Sequence, residues 1–317
     1  MAVGTMISLA LYFAVMLGIG LYAFKKSTSD VSGFMLGGRS LGPGVTALSA
    51  GASDMSGWML MGVPGLMYTV GLSSVWISLG LILGAYLNYL IVAPRLRTYT
   101  EVANDSITLP DFFENRFADK SRALRITSSI VIILFFTLYT SSGIVAGGKL
   151  FESSFGLTYE VGLYVTAGVV VLYTLFGGFL AVSMTDFVQG CIMFVALVLV
   201  PFVAISDVGG TGEMLATIEQ LNPEFLDVFS GVSFIAIVSA MAWGLGYFGQ
   251  PHIIVRFMAI RSVDDLPTAR RIGMSWMIVA LFGAMATGFA GVAYVAKIGL
   301  AVNDAETIFI LLGQVLF

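Results

Sequence analysis

Cysteine and histidine are nearly absent from this chain: Cys191 and His252 are the single examples among 317 residues. One cysteine excludes an intrachain disulfide and a thiolate metal cluster. One histidine excludes a histidine-rich metal site or a histidine proton relay. Charge is scarce as well. Asp, Glu, Lys and Arg make up 11% of the chain, where a soluble domain carries roughly a quarter. The net charge of −4 and the lack of basic runs leave no electrostatic footprint for nucleic acid. No Pro- or Ser-rich linker and no low-complexity segment interrupts the chain, so residues 1–317 read as one domain.

What is present is apolar. Hydrophobic residues make up 58% of the chain, which makes the lipid bilayer the solvent to reason with. The hydropathy pattern predicts eight spans, at 4–24, 41–67, 71–94, 123–148, 159–177, 186–206, 231–250 and 272–296. The first has Lys25 and Lys26 after it instead of basic residues before it, the reverse of a signal peptide, and reads as a retained span. Placing the 25–40 loop in the cytoplasm puts thirteen of the fifteen Lys and Arg on that face, Arg39 and Arg256 among them. Only Lys149 and Lys297 fall opposite. The positive-inside rule then sets a multi-pass protein of the cytoplasmic membrane with its N-terminus outside. The loop 207–230, with Asp207, Glu213, Glu219, Glu224 and Asp227 and no basic residue, suits the outer face.

Two spans are interrupted. Residues 41–67 hold Gly42, Pro43, Gly44, Gly51, Gly57, Gly62, Pro64 and Gly65. At about 1.5 Å per residue that segment exceeds the ~30 Å hydrocarbon core, which leaves room for an unwound stretch. The second, "SAMAWGLGYFGQPH" (239–252), closes on Gly244, Gly246, Gly249 and Pro251. These are spans two and seven, five apart and therefore of opposite orientation. Interrupted spans at corresponding positions of two inverted halves point to the binding site of a secondary transporter. The halves are expected at 41–206 and from 231 to 317. Residues 303–317 read as a helix cut off before its span, and the sequence reads as a fragment of a longer transporter.

Within "ALSAGASDMSGWMLMG" (47–62), Asp54 sits in an apolar run. A carboxylate at bilayer depth costs about 2.5–3.5 kcal/mol, so it must face protein or water. Thr46, Ser49, Ser53 and Ser56 recur at spacings of 3, 4 and 3 and share one helical face, with Gly57 on the same arc and Asp54 roughly 100° aside. Hydroxyls and freed carbonyls are hard oxygen ligands suited to Na⁺. The alternative reading is a structural Asp that caps the half-helix after it, and both can hold. Asp186, in "SMTDFVQG", begins a predicted span, where capping is the simpler reading and an inner ion pathway the sharper one. Trp58, Tyr139, Trp243 and Tyr247 lie at mid-span depth. Each is open to a packing reading, but Trp243 and Tyr247 share a face beside the second break. Such rings suit a compact apolar zwitterion. Arg39, in "LGGRSLG", is either a cytoplasmic anchor or a gate that acts through a salt bridge. His252 reads as a loop residue without chemistry.

The stretches "GGRSLGPGVTALSAGASDMSGWMLMGVPG" (37–65), "ITLPDFFENRF" (107–117), "SSGIVAGGKLFESSFG" (141–156) and "WGLGYFGQPHIIVRFMA" (243–259) resemble the sodium/proline symporters of the bacterial solute:sodium symporter family. The resemblance implies an all-α membrane protein with a LeuT-like core of two inverted five-helix repeats after one extra span, here truncated to about eight helices. It implies Na⁺-coupled uptake of L-proline, with Na⁺ as the co-transported ion and no enzymatic activity. It places Asp54 and the carbonyls of Ala52 and Met55 at the sodium site. Ser56, Gly57, Trp58, Tyr139, Trp243 and Tyr247 fall around proline, and Arg39 and Asp186 on the inward path of the ion. The family's further sodium ligands, a Ser and a Thr on a later span, have no counterpart, so this stretch alone is not expected to transport. L-proline, Na⁺ and the lipid bilayer are the partners implied, with no obligate protein partner. A transporter-like sensor domain, a symporter for another small solute and an intramembrane aspartyl protease built on Asp54 and Asp186 are the competing readings. The protease needs two carboxylates close enough to share a proton, and Asp54 is read at mid-membrane with Asp186 near an interface.

Overall fold

The computed structural model describes residues 3–27 and 30–317. Among them the regular structure is helical, apart from one parallel bridge between Leu41 and Ile260. The helices are α1 (Val3–Ser27), α2 (Val31–Leu36), α3 (Pro43–Gly57), α4 (Val63–Val70), α5 (Val75–Val102), α6 (Leu109–Arg116) and α7 (Ala123–Phe155). They are followed by α8 (Tyr159–Val208), α9 (Thr211–Leu221), α10 (Phe234–Met241), α11 (Pro251–Ala259), α12 (Leu266–Ile298) and α13 (Ile308–Leu316).

The ends follow local chemistry. The Asp30 carboxylate accepts from Gly33 N–H at 2.6 Å to cap α2, and Thr108 Oγ1 accepts from Asp111 N–H at 3.2 Å to cap α6. Pro251 opens α11, where its missing N–H costs nothing.

Among the described residues, five stretches are long and apolar enough to cross a membrane: Ile7–Lys26, Pro43–Val102, Ala123–Phe155, Tyr159–Val208 and Val263–Ile298. Two of them, of 60 and 50 residues, could not be single straight spans. At 1.5 Å per residue they would reach about 90 and 75 Å through a hydrocarbon layer of about 30 Å. The backbone breaks both. Ser56 (φ 37°, ψ −142°) and Gly71 (φ 72°, ψ −151°) interrupt the first, and Gly178 (φ 58°, ψ −153°) the second. Gly71 lies where the sequence separates 41–67 from 71–94, and Gly178 follows the expected end of 159–177. The second boundary differs in one respect: helix resumes directly after Gly178, so Asp186 lies inside α8 and not at its start. The region 231–250 contains a short helix, α10, followed by a 3₁₀ stretch Ala242–Phe248.

The chain divides into two compact bodies. The first comprises Met1–Asp54, Asn88–Gly190 and Gly249–Gly273. Arginines staple it. Arg39 donates from Nε and Nη2 to the Asp105 carboxylate at 3.1 and 2.9 Å, and from Nη1 to the Met258 carbonyl at 2.7 Å and to Thr100 Oγ1 at 3.2 Å. Buried Arg97 donates to the Ile260 carbonyl at 2.6 Å and pairs with Glu101. These bonds tie the C-terminal end of α11 to α5 and to the turn before α3. The bridge at Leu41 adds two main-chain bonds there, to the Ala259 carbonyl and from Arg261 N–H.

The second body comprises Met55–Leu87, Cys191–Phe248 and Met274–Phe317. Its helices approach through small residues: a Cβ at Gly84 would run into the Gly244 backbone, and one at Gly244 into the Gly80 carbonyl. Small residues that let backbones touch are the usual packing device between helices in lipid.

Candidate ion and solute site

On the first body, α3 carries Thr46 and Ser49 into full burial, as the 3, 4, 3 spacing predicts for one face. The helix holds as far as Ser56, whose left-handed φ departs from helical geometry. For a residue with a Cβ this conformation costs of order 1–3 kcal/mol and collects at functional sites. A π turn, Trp58–Gly62, follows before α4 begins, another irregularity common at such sites. The carbonyls just before the break are engaged. The Tyr139 hydroxyl on α7 donates to the Ser53 carbonyl at 2.9 Å and lies 3.2 Å from that of Asp54. Tyr139 is thus tethered to the backbone beside the candidate carboxylate.

The Asp54 side chain is 12% exposed, and one carboxylate oxygen lies 4.0 Å from His252 Nε2. His252 stands in the first turn of α11, not in a loop, and its side chain is 10% exposed. Its ring meets Tyr139 at 4.9 Å and Phe136 at 5.2 Å between centroids. The sequence reading assigned His252 no role. The signal that would have found it is Pro251: a proline at the first helical position makes 252 a first-turn residue, four before Arg256 and on the same face.

Asp186 has a different environment. Its carboxylate accepts from Arg256 Nη2 at 2.9 Å and from Ser49 Oγ at 2.7 Å, and Arg256 Nε donates to Ser49 Oγ at 3.0 Å. All three residues are buried. The Arg256 guanidinium also lies over the Phe179 ring at 5.5 Å and donates to the His252 carbonyl. Asp186 is therefore one half of a buried ion pair and not a helix cap. Arg256, counted with the cytoplasmic loop cations by its charge alone, is an interior residue 4% exposed. Buried charges must be paired and hydrogen-bonded to persist, and this pair meets both conditions. Arg39 forms an ion pair with Asp105 at 2.9 Å, the contact that a salt-bridge role requires.

On the second body, Met55 is buried, and Trp58 stacks on Trp243 with centroids 6.0 Å apart and planes 26° apart. Trp243 is 56% exposed, while Tyr247 is buried. The structure thus brings Asp54, Tyr139 and the unforeseen His252 together on one body, and Trp58 and Trp243 together on the other. Asp186 sits in its own cluster. Ala52 is buried on α3. No group of three or more His, Cys, Asp or Glu side chains suited to a metal ion occurs among the described residues. The oxygens beside the break are the Ser53 and Asp54 carbonyls and the Tyr139 hydroxyl, hard ligands by type.

Comparison with known proteins gives the family. Residues 34–317 match the sodium:solute symporter family. The chain is 62% identical over 317 residues to the osmoregulated proline transporter OpuE of Bacillus subtilis (strain 168), covering 100% of this chain and 64% of that protein. It is 57% identical over 313 residues to a sodium/proline symporter of Staphylococcus aureus (strain NCTC 8325 / PS 47), covering 99% of this chain and 61% of that one. It therefore spans less than two thirds of the length of these relatives. A solved structure of a Na⁺-coupled sialic acid symporter, captured substrate-bound and outward-open, superposes with a TM-score of 0.82 at 19% identity. It covers 98% of this chain and 66% of that chain, and shows the shared fold. The chain belongs to the sodium:solute symporter family.

Proposed function

We propose that the full-length protein carries out Na⁺-coupled uptake of L-proline across the bacterial cytoplasmic membrane, without catalysis. The observation that carries this reading is Asp54, a carboxylate at the end of a helix that breaks two residues later, beside carbonyls held by Tyr139. The two most similar relatives described above are proline transporters. In this reading Asp54 and the carbonyls of Ala52 and Met55 hold Na⁺. Ser56, Gly57, Trp58, Tyr139, Trp243 and Tyr247 hold proline, Arg39 serves the inward path of the ion, and Asp186 supports that path through its fixed pair with Arg256. The N-terminus lies outside, and the first repeat spans 41–206 with the second beginning at 231. Bound Na⁺ favours the arrangement that binds proline, and the coupling free energy acts equally in both directions.

Vesicles that contain the full-length protein test this. Labelled L-proline should accumulate when a Na⁺ gradient is imposed and should not when a proton gradient replaces it. Accumulation independent of Na⁺ would contradict the reading.

A further inference from the structure

His252 carries two buried ring nitrogens without a visible task. Neither Nδ1 nor Nε2 has a hydrogen-bond partner among the described residues, although an imidazole always has at least one N–H to donate and, when neutral, a lone pair to offer. Buried polar atoms are seldom left in that condition without a functional reason. The ring is well fixed. Tyr139 and Phe136 flank it, Pro251 sets its backbone at the start of α11, and the carbonyl of His252 accepts from Arg256. Tyr139 is in turn held by its hydroxyl on the Ser53 carbonyl. These contacts leave Nε2 facing the Asp54 carboxylate at 4.0 Å. That separation is too long for a hydrogen bond between them, whose limit is about 3.2 Å. It suits two acceptors that share one donor group, each at about 2.8 Å.

We propose that His252 is a solute-binding residue. Its Nε2 and the facing oxygen of the Asp54 carboxylate accept the two N–H groups of a secondary ammonium, one bond to each, and the other carboxylate oxygen serves Na⁺. A secondary ammonium has two N–H donors and no more, which matches the two acceptors. An oxygen or a tertiary amine at the same ring position cannot satisfy both. His252 thus adds selectivity for the amine of the solute to the cover that the neighbouring rings give its hydrocarbon. This inference rests on the proposed function, because it takes proline as the solute.

The test is a competition experiment on the full-length protein at saturating Na⁺. L-proline is compared with tetrahydrofuran-2-carboxylate, the same ring with oxygen in place of the amine. His252→Phe keeps a flat ring between Phe136 and Tyr139 and removes both nitrogens, while His252→Gln keeps a carbonyl acceptor. His252→Phe should weaken proline binding at least ten-fold and leave the oxygen analogue nearly unchanged, so the preference for proline over the analogue falls by about that factor. His252→Gln should recover part of the preference. If His252→Phe weakens both ligands equally, or neither, the side chain only packs and the proposal is wrong. If wild-type protein binds no proline at all, the proposed function fails first and this inference falls with it. A wild-type protein that binds proline separates the two outcomes.

Discussion

Two carboxylates lie within apolar helices of the first body, and their surroundings are opposite in kind. Asp186 is closed: a guanidinium and a hydroxyl both donate to its Oδ2, at 2.9 and 2.7 Å, and Arg256 is itself bonded to Ser49 and to the His252 carbonyl. Asp54 lies next to a backbone break and faces a histidine at 4.0 Å, outside direct hydrogen-bond range. A paired charge of the first kind holds helices in register, because separating the partners strands a charge in a low-dielectric interior. A carboxylate of the second kind stands where the backbone gives way, and the proposed function assigns it a mobile ligand. The comparison assigns rigidity to one acid and exchange to the other, although their sequence contexts, "GASDMSG" and "SMTDFVQ", look alike.

The largest expected effect tests the closed site. Arg256→Ala leaves Asp186 buried without its cation and should destabilise the full-length protein in detergent by about 3–5 kcal/mol. The double variant Asp186→Asn with Arg256→Gln, which removes both charges and keeps the shape, should recover most of that loss. A thermal unfolding series measures both. If Arg256→Ala melts like wild type, the pair is no lock and the contrast with Asp54 disappears.

A smaller effect is expected from the rings. Trp243→Ala and Tyr139→Ala should each raise the apparent KM for proline several-fold, since a ring covering an apolar ligand contributes about 1–3 kcal/mol. Unchanged proline uptake in both variants would make them packing residues. The smallest effect belongs to Tyr139→Phe, which keeps the ring and loses the bond to the Ser53 carbonyl. A single neutral hydrogen bond is worth about 1 kcal/mol. The change should appear as a few-fold rise in the Na⁺ concentration for half-maximal uptake, with proline KM nearly constant at saturating Na⁺. The reverse pattern would assign the Tyr139 hydroxyl, like its ring, to the solute alone.

The helical architecture and the positions of its breaks were legible in the sequence because both depend on local rules. The span boundaries expected at 67–71 and 177–186 hold Gly71 and Gly178, glycine and proline mark the 242–251 region, and hydroxyl spacing alone put Thr46 and Ser49 on one face. The partners of the charges were not legible. Asp186 and Arg256 are 70 positions apart, and nothing in either local stretch records that they meet. The charge pattern placed Arg256 among loop cations because it treats every Lys and Arg as solvated. His252 was passed over for the same reason: a single histidine after a glycine-rich turn looks like a loop residue until the helix beginning at Pro251 is seen. The strained backbone at Ser56 was foreseen as an unwound stretch, but its narrowness was not, since propensity gives no single-residue location for a break.

The central claim is that Asp54 serves the ion and Asp186 does not need to exchange partners to hold the fold. Proline binding at saturating and at negligible Na⁺, compared between wild type and Asp54→Asn in the full-length protein, tests it most directly. The amide keeps the shape and removes the charge, so the variant should fold. Its proline affinity should become nearly independent of Na⁺, because linkage between two ligands is reciprocal and a site that no longer holds the ion cannot strengthen the solute. If Asp54→Asn retains the wild-type ratio of affinities, Asp54 is a structural cap beside a helix break and the account is wrong.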